Sequence, residues 1–383
     1  MTLTIIILTT LFIFLFLILH KKHMTTWLPH YLYNMFFNSK TAQHRHILFC
    51  FVDHYEPQWR TEDIEVERRR VDEWFNRYPK LARKHRDADG HHPKHSFFYP
   101  EEEYREEHLT KIQKICEEGF GEVEIHLHHH DDTESNFRKN LQSFKKTLRE
   151  QHHLLPVDPN GKTGFAFIHG NWALDNSDPS GNNCGLNNEI SILKDEQCYV
   201  DMTMPSAPHP TQTAQVNSIY MAKDNPNQPK SHNRGKRVEF GKGMEGDLLI
   251  IQGPLCLNWR KRKFGIMPKL ENGDIRASMP PSKHRVDLWV KQNIHIKNSP
   301  EWVFVKIHTH GTQDDDIETL LGKPTDDMFS YLEEKYNDNK KYTLHYVSAR
   351  EMYNIAKASS DGHKGNPNDY RDYYYKLSND TTK

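Results

Sequence analysis

The sequence predicts an α/β fold: an irregular (β/α) barrel of seven or eight strands over residues 46–358 of the 383. Three observations carry that expectation. Short apolar runs alternate with longer amphipathic stretches, the mark of parallel strands joined by helical crossovers. Polar residues gather at the ends of several different runs, as they do around the mouth of a barrel. The first run is followed by Asp53-His54-Tyr55-Glu56-Pro57, without the glycine that a phosphate loop at this place in an open sheet would carry. The Gly-x-Gly-x-x-Gly of residues 241–246 precedes a strand instead of following one, and is discounted as a nucleotide loop.

Taken in order, residues 46–53 (Ile47, Leu48, Phe49, Cys50, Phe51, Val52) read as a buried parallel strand. Residues 64–85 set Val66, Trp74, Phe75 and Leu81 among charges, as a surface helix does. A second strand spans 96–99 and is closed by Pro100; a charged helix over 101–118 stops at Gly119. The third strand lies in 121–133, and a helix follows over 135–152. Further strands are expected at 164–169, 198–204, 247–252, 302–310 and 342–347, with helices at 187–196, 283–296, 326–336 and 349–357. Residues 224–245 are polar and bear proline and glycine, so they read as a long loop. The tail, 359–383, lacks apolar periodicity and reads as loose, although Tyr370, Tyr373, Tyr374 and Tyr375 can tack it down.

The third strand holds the strongest chemical signal. Val123, Ile125 and Leu127 alternate with Glu124, His126 and His128, a period of two that gives one apolar and one polar face. Residues two apart on one face sit about 6.5–7 Å apart along a strand, so both imidazoles can converge on one ion. His130 joins that face if the strand runs on. The 302–310 run repeats the pattern: Val303, Val305 and Ile307 on one face, Lys306, His308 and His310 on the other. Asp53 ends the first strand and is a candidate ligand or base, against the plainer role of capping a turn.

Composition narrows the function. Fifty-one basic residues balance 52 acidic ones, so no polyanionic partner is implied, and no basic patch with interleaved aromatics points to nucleic acid. Histidine, at 26, is abundant enough for metal chemistry but proves nothing by number alone. The five cysteines share no Cys-x-x-Cys spacing, so free thiols are expected and a zinc–thiolate site is not. Residues 3–19 are apolar apart from threonines and are followed by His20, Lys21, Lys22 and His23, which reads as an uncleaved membrane anchor over 1–23. The flanking positive charge leans the domain to the cytoplasmic side. Residues 24–45 read as an aromatic-rich juxtamembrane linker.

The order of these motifs resembles the NodB-type polysaccharide deacetylases, carbohydrate esterases on an irregular (β/α)7 barrel. The resemblance covers about residues 47–355. Phe51-Val52-Asp53-His54 stands where that family has paired aspartates. Glu124-Ile125-His126 with His130, or Glu124 with His128, stands at its histidine motif. Val305-Lys306-Ile307-His308 resembles its late acid-bearing strand. His54 replaces the second aspartate, the arginine–proline motif is missing near Ile168-His169-Gly170-Asn171-Trp172, and residues 247–264 have no counterpart. The resemblance implies one divalent metal ion, zinc as first candidate, held by Asp53 and two of His126, His128 and His130, with His54 in reserve. It implies Asp53 as base if it is not a ligand, His308 or His310 as the acid, and a carbohydrate substrate near Asn171, Trp172 and Asp201. The rival expectations are another metal-dependent barrel hydrolase, amidohydrolase or glycosidase-like, and a membrane-tethered carbohydrate-binding barrel without catalysis.

Overall fold

The computed structural model describes the chain except for residues 1–8, 11–12, 14–15, 38–40 and 378–383. It is a mixed α/β protein built on one large, mostly parallel sheet. The strands that matter are β1 (Arg45–His54), β2 (His95–Pro100), β3 (Gly121–Leu127), β4 (Phe165–His169), β5 (Cys198–Asp201), β6 (Ile219–Ala222), β7 (Lys236–Arg237) and β8 (Leu248–Ile251), then, after a separate β9–β10 hairpin (Cys256–Lys263 and Met267–Glu271), β11 (Trp302–Thr309) and β12 (Tyr342–Tyr346). Their order is β11-β1-β2-β3-β4-β5-β8-β6-β7. β11 runs along one edge of β1, so the other edge is divided between β12 at residues 45–49 and β2 at residues 51–54.

Each expected strand of the parallel set is present, and both sheet faces are buried, as in all parallel sheets covered by crossovers. One face carries Ile47, Phe49, Phe51, Val123, Ile125, Leu127, Val303, Val305 and Ile307. It packs against α2 (Ile64–Ala82), α3 (Glu106–Glu117), α4 (Glu134–Glu150), α5 (Glu189–Asp195), α6 (Lys283–Lys291) and α8 (Lys323–Tyr336), through residues such as Trp74, Ile112, Leu141, Ile192, Trp289 and Phe329. The other face carries Leu48, Cys50, Val52, Ile168, Val200 and Phe304, covered by Met352, Ile355 and Ala356 of α9 (Ala349–Ser360). The short α7 spans Ile317–Leu320. Caps start these helices where the sequence supplies them: Asp63 accepts from Glu65 N, Thr133 from Asn136 N, and Ser348 forms a capping box with Glu351.

Four expectations change. The ladder does not close into a barrel among the described residues: β8 gives its second edge to antiparallel β6, and no pairing joins β8 to β11. No helix among the described residues is long and apolar enough to cross a membrane, and most of the apolar stretch at 3–19 lies outside them. The expected linker contains a helix, α1 (Met24–Phe37), whose Trp27 is fully buried with Ala207, Val216 and Leu255, since a large ring gains more from packing there than at an interface. The expected loose tail is packed as far as residue 377. Tyr375 stacks on Tyr199, Val157 and Lys376 exchange backbone hydrogen bonds, and Arg371 pairs with Asp87 and Glu351.

Arg350 ties that tail down. It is buried, pairs with Glu122, and donates to the carbonyls of Arg371 and Tyr375 and to Asp372. Removing the guanidinium strands the buried Glu122 carboxylate. Arg350→Ala is therefore expected to lower stability by about 3–5 kcal/mol, read by urea unfolding, and to open the tail to limited proteolysis. A tail as susceptible in the parent chain as in the variant would contradict this packing.

Candidate metal centre

β1 leaves the sheet with its side chains still alternating. Leu48, Cys50, Val52 and His54 share one face; Phe49, Phe51, Asp53 and Tyr55 share the other. Glu56, just past the strand, turns back beside His54. β3 brings His126 to the same place, His128 follows directly after it, and His310 arrives from the end of β11. Glu56 is buried at the centre of this group. Its Oε1 lies 3.0 Å from His128 Nε2 and 3.6 Å from His126 Nε2, and its Oε2 lies 3.0 Å from His310 Nδ1. The His54 ring stacks on His310 at 4.6 Å and meets the edge of His126 at 4.9 Å.

The hydrogen bonds fix which nitrogens are free. His126 Nδ1 is 2.7 Å from the Ile168 carbonyl on β4, an oxygen that can only accept, so Nδ1 carries the proton. In the neutral ring Nε2 then presents a lone pair; it is buried, has no hydrogen-bond partner, and faces a carboxylate oxygen. His128 Nδ1 is bonded to Glu102 Oε1 at 2.6 Å, which leaves its Nε2 towards Glu56. An imidazole anchored through one nitrogen to a carbonyl or carboxylate, with the other aimed at a shared point, is the arrangement of metal-binding histidines. Ligating atoms of Glu56, His126 and His128 all lie within 4.8 Å of one another. The His128 side chain remains 31% exposed, so this centre reaches solvent on one side.

The electrostatics agree with the geometry. Burial alone would raise the Glu56 carboxyl; the imidazoles of His126, His128 and His310 outweigh it and hold Glu56 well below the usual carboxylate range. Burial likewise opposes charge on His128, but its bonds to Glu102 and Glu56 lift it to about 10. His54 is driven well below its ordinary value by burial first, then by His310 and His126. The rings bonded to Glu56 thus carry the positive charge that balances the buried carboxylate, the place a bound cation would take instead.

Of the residues singled out from the sequence, the fold gathers His54, His126, His128 and His310. Asp53 lies on the opposite face of β1. Its Oδ2 is 2.8 Å from His95 Nε2, and its Oδ1 accepts from Gly311 N at 2.6 Å. There it sits apart from the Glu56 group, bonded to His95, and pins the turn that carries His310. A Cβ on Gly311 would lie 2.0 Å from the Asp53 carboxylate, so only glycine allows that bond. His130 is also outside the centre, because β3 ends at Leu127 and the alternation ends with it. Its ring points to the Asn182 carbonyl and Asp131 instead. His308 is buried beside the group with an unpartnered Nδ1, but has no contact with Glu56. Asp201 is fully buried and accepts from Thr203 N and Oγ1, the plain turn role; burial pushes it up to about 7. Asn171 is exposed in a left-handed turn. Trp172 stands 6.5 Å from His310 and 5.5 Å from His209, and Trp59 stands 6.1 Å from His310.

Glu56, Glu102 and Trp59 are the residues sequence reasoning missed. Glu56 had a signal, since it sits two positions after His54 on the same alternation; Glu102 and Trp59 had none. Asp87, Asp89 and His345 also cluster. Asp87 there is satisfied by the amides of Asp89, His91 and Tyr346 and by Arg371, which makes it structural. No known protein family matches the chain, and no curated protein does either.

Two substitutions separate ligand from buttress. Glu56→Gln is expected to lose bound metal, measured by elemental analysis of the purified full chain. Asp53→Ala is expected to keep the metal but lose about 3 kcal/mol of stability, because His95 and Gly311 N lose a buried acceptor. Metal loss in Asp53→Ala at unchanged stability would return Asp53 to the ligand set.

Proposed function

We propose that this centre binds one divalent cation, zinc in the first instance, and that the chain is a metal-dependent hydrolase, an N-deacetylase of polysaccharide or other sugar substrates. The observation that carries the metal reading is the His126 Nε2 lone pair, buried without a partner and directed at the Glu56 carboxylate. Glu56, His126 and His128 would hold the ion, two imidazoles and a carboxylate that suit zinc and leave positions open. When bound, such an ion brings the pKa of its water towards neutrality and polarises an acyl oxygen.

The chain's own groups supply the rest. His54, packed against both His126 and His310, is placed to accept the proton of an attacking water. His310 is held through Nδ1 by Glu56, so its Nε2 is the atom left to deliver a proton to the departing amine. Glu102 orients His128, and Asp53 holds the His310 turn. Trp59 and Trp172 flank His310, as aromatic platforms do beside a sugar ring.

The motif order that resembles the NodB-type deacetylases supports the substrate class, with Glu56 standing in for the expected aspartate and His310 for His308. The sheet then corresponds to an opened (β/α) barrel. An amidohydrolase-like alternative is less favoured, because Lys306 Nζ is engaged by the carbonyls of Met202 and Met204 and is not free to bridge metals. Membrane attachment at the N-terminal side is part of the same proposal. Tyr33, Met35, Phe36 and Phe37 of α1 are exposed, as are Trp259, Phe264 and Ile266 on the hairpin beside it.

The test is acetate release from N-acetylated oligosaccharides by the full chain. Release is expected to stop on chelation and return with zinc. His310→Ala is expected to keep the ion and lose about 10²–10⁴ in kcat. An ion bound with no acetate released would overturn the deacetylase reading and favour the binding protein.

A further inference from the structure

We propose that a second, structural metal ion, a zinc-type cation, is held by His129, His169, Cys184 and Glu189, separately from the centre built on Glu56. The four residues come from the loop after β3, the end of β4, the long connection after β4 and the first turn of α5. Their ligating atoms lie within 4.8 Å of one another, and no residue is shared with the first centre. This inference does not rest on the hydrolase reading.

The argument is again about an orphaned lone pair. His169 is fully buried, and its Nδ1 meets the Gly170 carbonyl at 2.5 Å, so Nδ1 carries the proton. Its Nε2 has no hydrogen-bond partner and points at Glu189 Oε1, 3.4 Å away. His129 Nε2 approaches the same oxygen at 3.1 Å, while its Nδ1 lies 3.3 Å from Asp132 Oδ2. Cys184 Sγ donates to Glu189 Oε2 at 3.4 Å and accepts from Leu186 N at 3.4 Å. With its proton on Nδ1, the His169 Nε2 lone pair faces a carboxylate oxygen in a dry interior, two acceptors with no hydrogen between them, and that contact is costly. A divalent ion among the four would relieve that contact, and would take the places of the protons that the His129 ring and the Cys184 thiol share with Glu189.

Two imidazoles, a thiolate and a carboxylate make a closed, four-coordinate zinc set, the structural kind. What it would hold is the segment from Gly170 to Glu189. That stretch includes Asn171, Trp172, Asp175 and Asn176, all with positive φ. Such backbone needs outside support to persist. Asp175 N bonds to Glu189 Oε2, which ties the strained run directly to a ligand. Gly170 adds a close approach: a Cβ there would lie 2.3 Å from the His128 ring. The second ion would therefore fix Trp172 and the wall behind His128 while touching no substrate.

Cobalt(II) exchange into the full chain tests this, because a thiolate ligand gives a sulfur-to-cobalt charge-transfer band that imidazole and carboxylate ligands do not. The expected result is about two ions per chain with that band present. Glu56→Gln should lose one ion and keep the band; Cys184→Ser should lose the band and keep the ion at the Glu56 centre. Cobalt bound without the band in the parent chain would overturn the proposal even if Cys184→Ser failed to fold. Failure of the first centre alone would appear as one ion with the band intact.

Discussion

An imidazole whose Nδ1 donates to a carbonyl can satisfy a carboxylate only by taking a second proton or by sharing a cation with it. The His126 ring is in that position: β4 lies against β3, so Ile168 O claims Nδ1, and Nε2 is turned by the same geometry towards Glu56. The register of two central strands thus decides the tautomer of the ring and the direction of its lone pair. A neutral ring there needs a cation between it and the carboxylate; a charged ring would have to be accommodated by Glu56 alone, which His128 and His310 already contact. Four histidine rings crowd around Glu56, and the imidazoles that bond to it hold its carboxyl down against burial.

The sheet makes such a centre possible by burying both of its faces unequally. Six helices cover one face with large apolar side chains, and α9 covers the other chiefly at Leu48, Cys50, Ile168 and Phe304. Beyond the strand ends on that second face there is no further helix to pack, and polar side chains collect. Asp53 shows how sharp the division is. One residue from His54 on the same strand, it faces the helices, where it bonds to His95, a ring packed between Trp74 and Tyr78, and holds the Gly311 turn. The single-residue alternation of a strand separates a buttress from a member of the centre.

That alternation is why so much was legible in the sequence. The apolar and histidine-bearing faces of 121–128 and 302–310 fall where the period of two puts them, and the parallel set was readable from its apolar runs. Reasoning failed where the period stopped. His130 was phased as though β3 continued, but the strand ends at Leu127 and Asp131 takes a left-handed conformation. Asp53, at the strand's end, stands out as a candidate, though Glu56, just past the strand, shares the parity of His54. Glu102 and Cys184 reach their neighbours only through tertiary packing, and no local spacing announces such a contact. The five cysteines are free thiols, as their spacing implies, and a lone thiol among distant histidines leaves no pattern in the chain.

The open seam has an equally local cause. A barrel closes when the free edge of its last strand meets the free edge of its first. Here β8 meets β5 at one parallel pair, Asp201 with Ile250, and its remaining edge is consumed by β6 running antiparallel along residues 248–251. β11 is left facing the segment around Gly273 to Ile275, which exchanges backbone hydrogen bonds with His308. Lys306 spans what the ladder does not. Its buried ammonium donates to the carbonyls of Met202 and Met204, just past the end of β5. The charge is tolerated because Asp201 is near, although burial still draws the lysine down to about 8. A side chain thus ties β11 across the seam at one point, on the same strand that carries His308 and leads to His310.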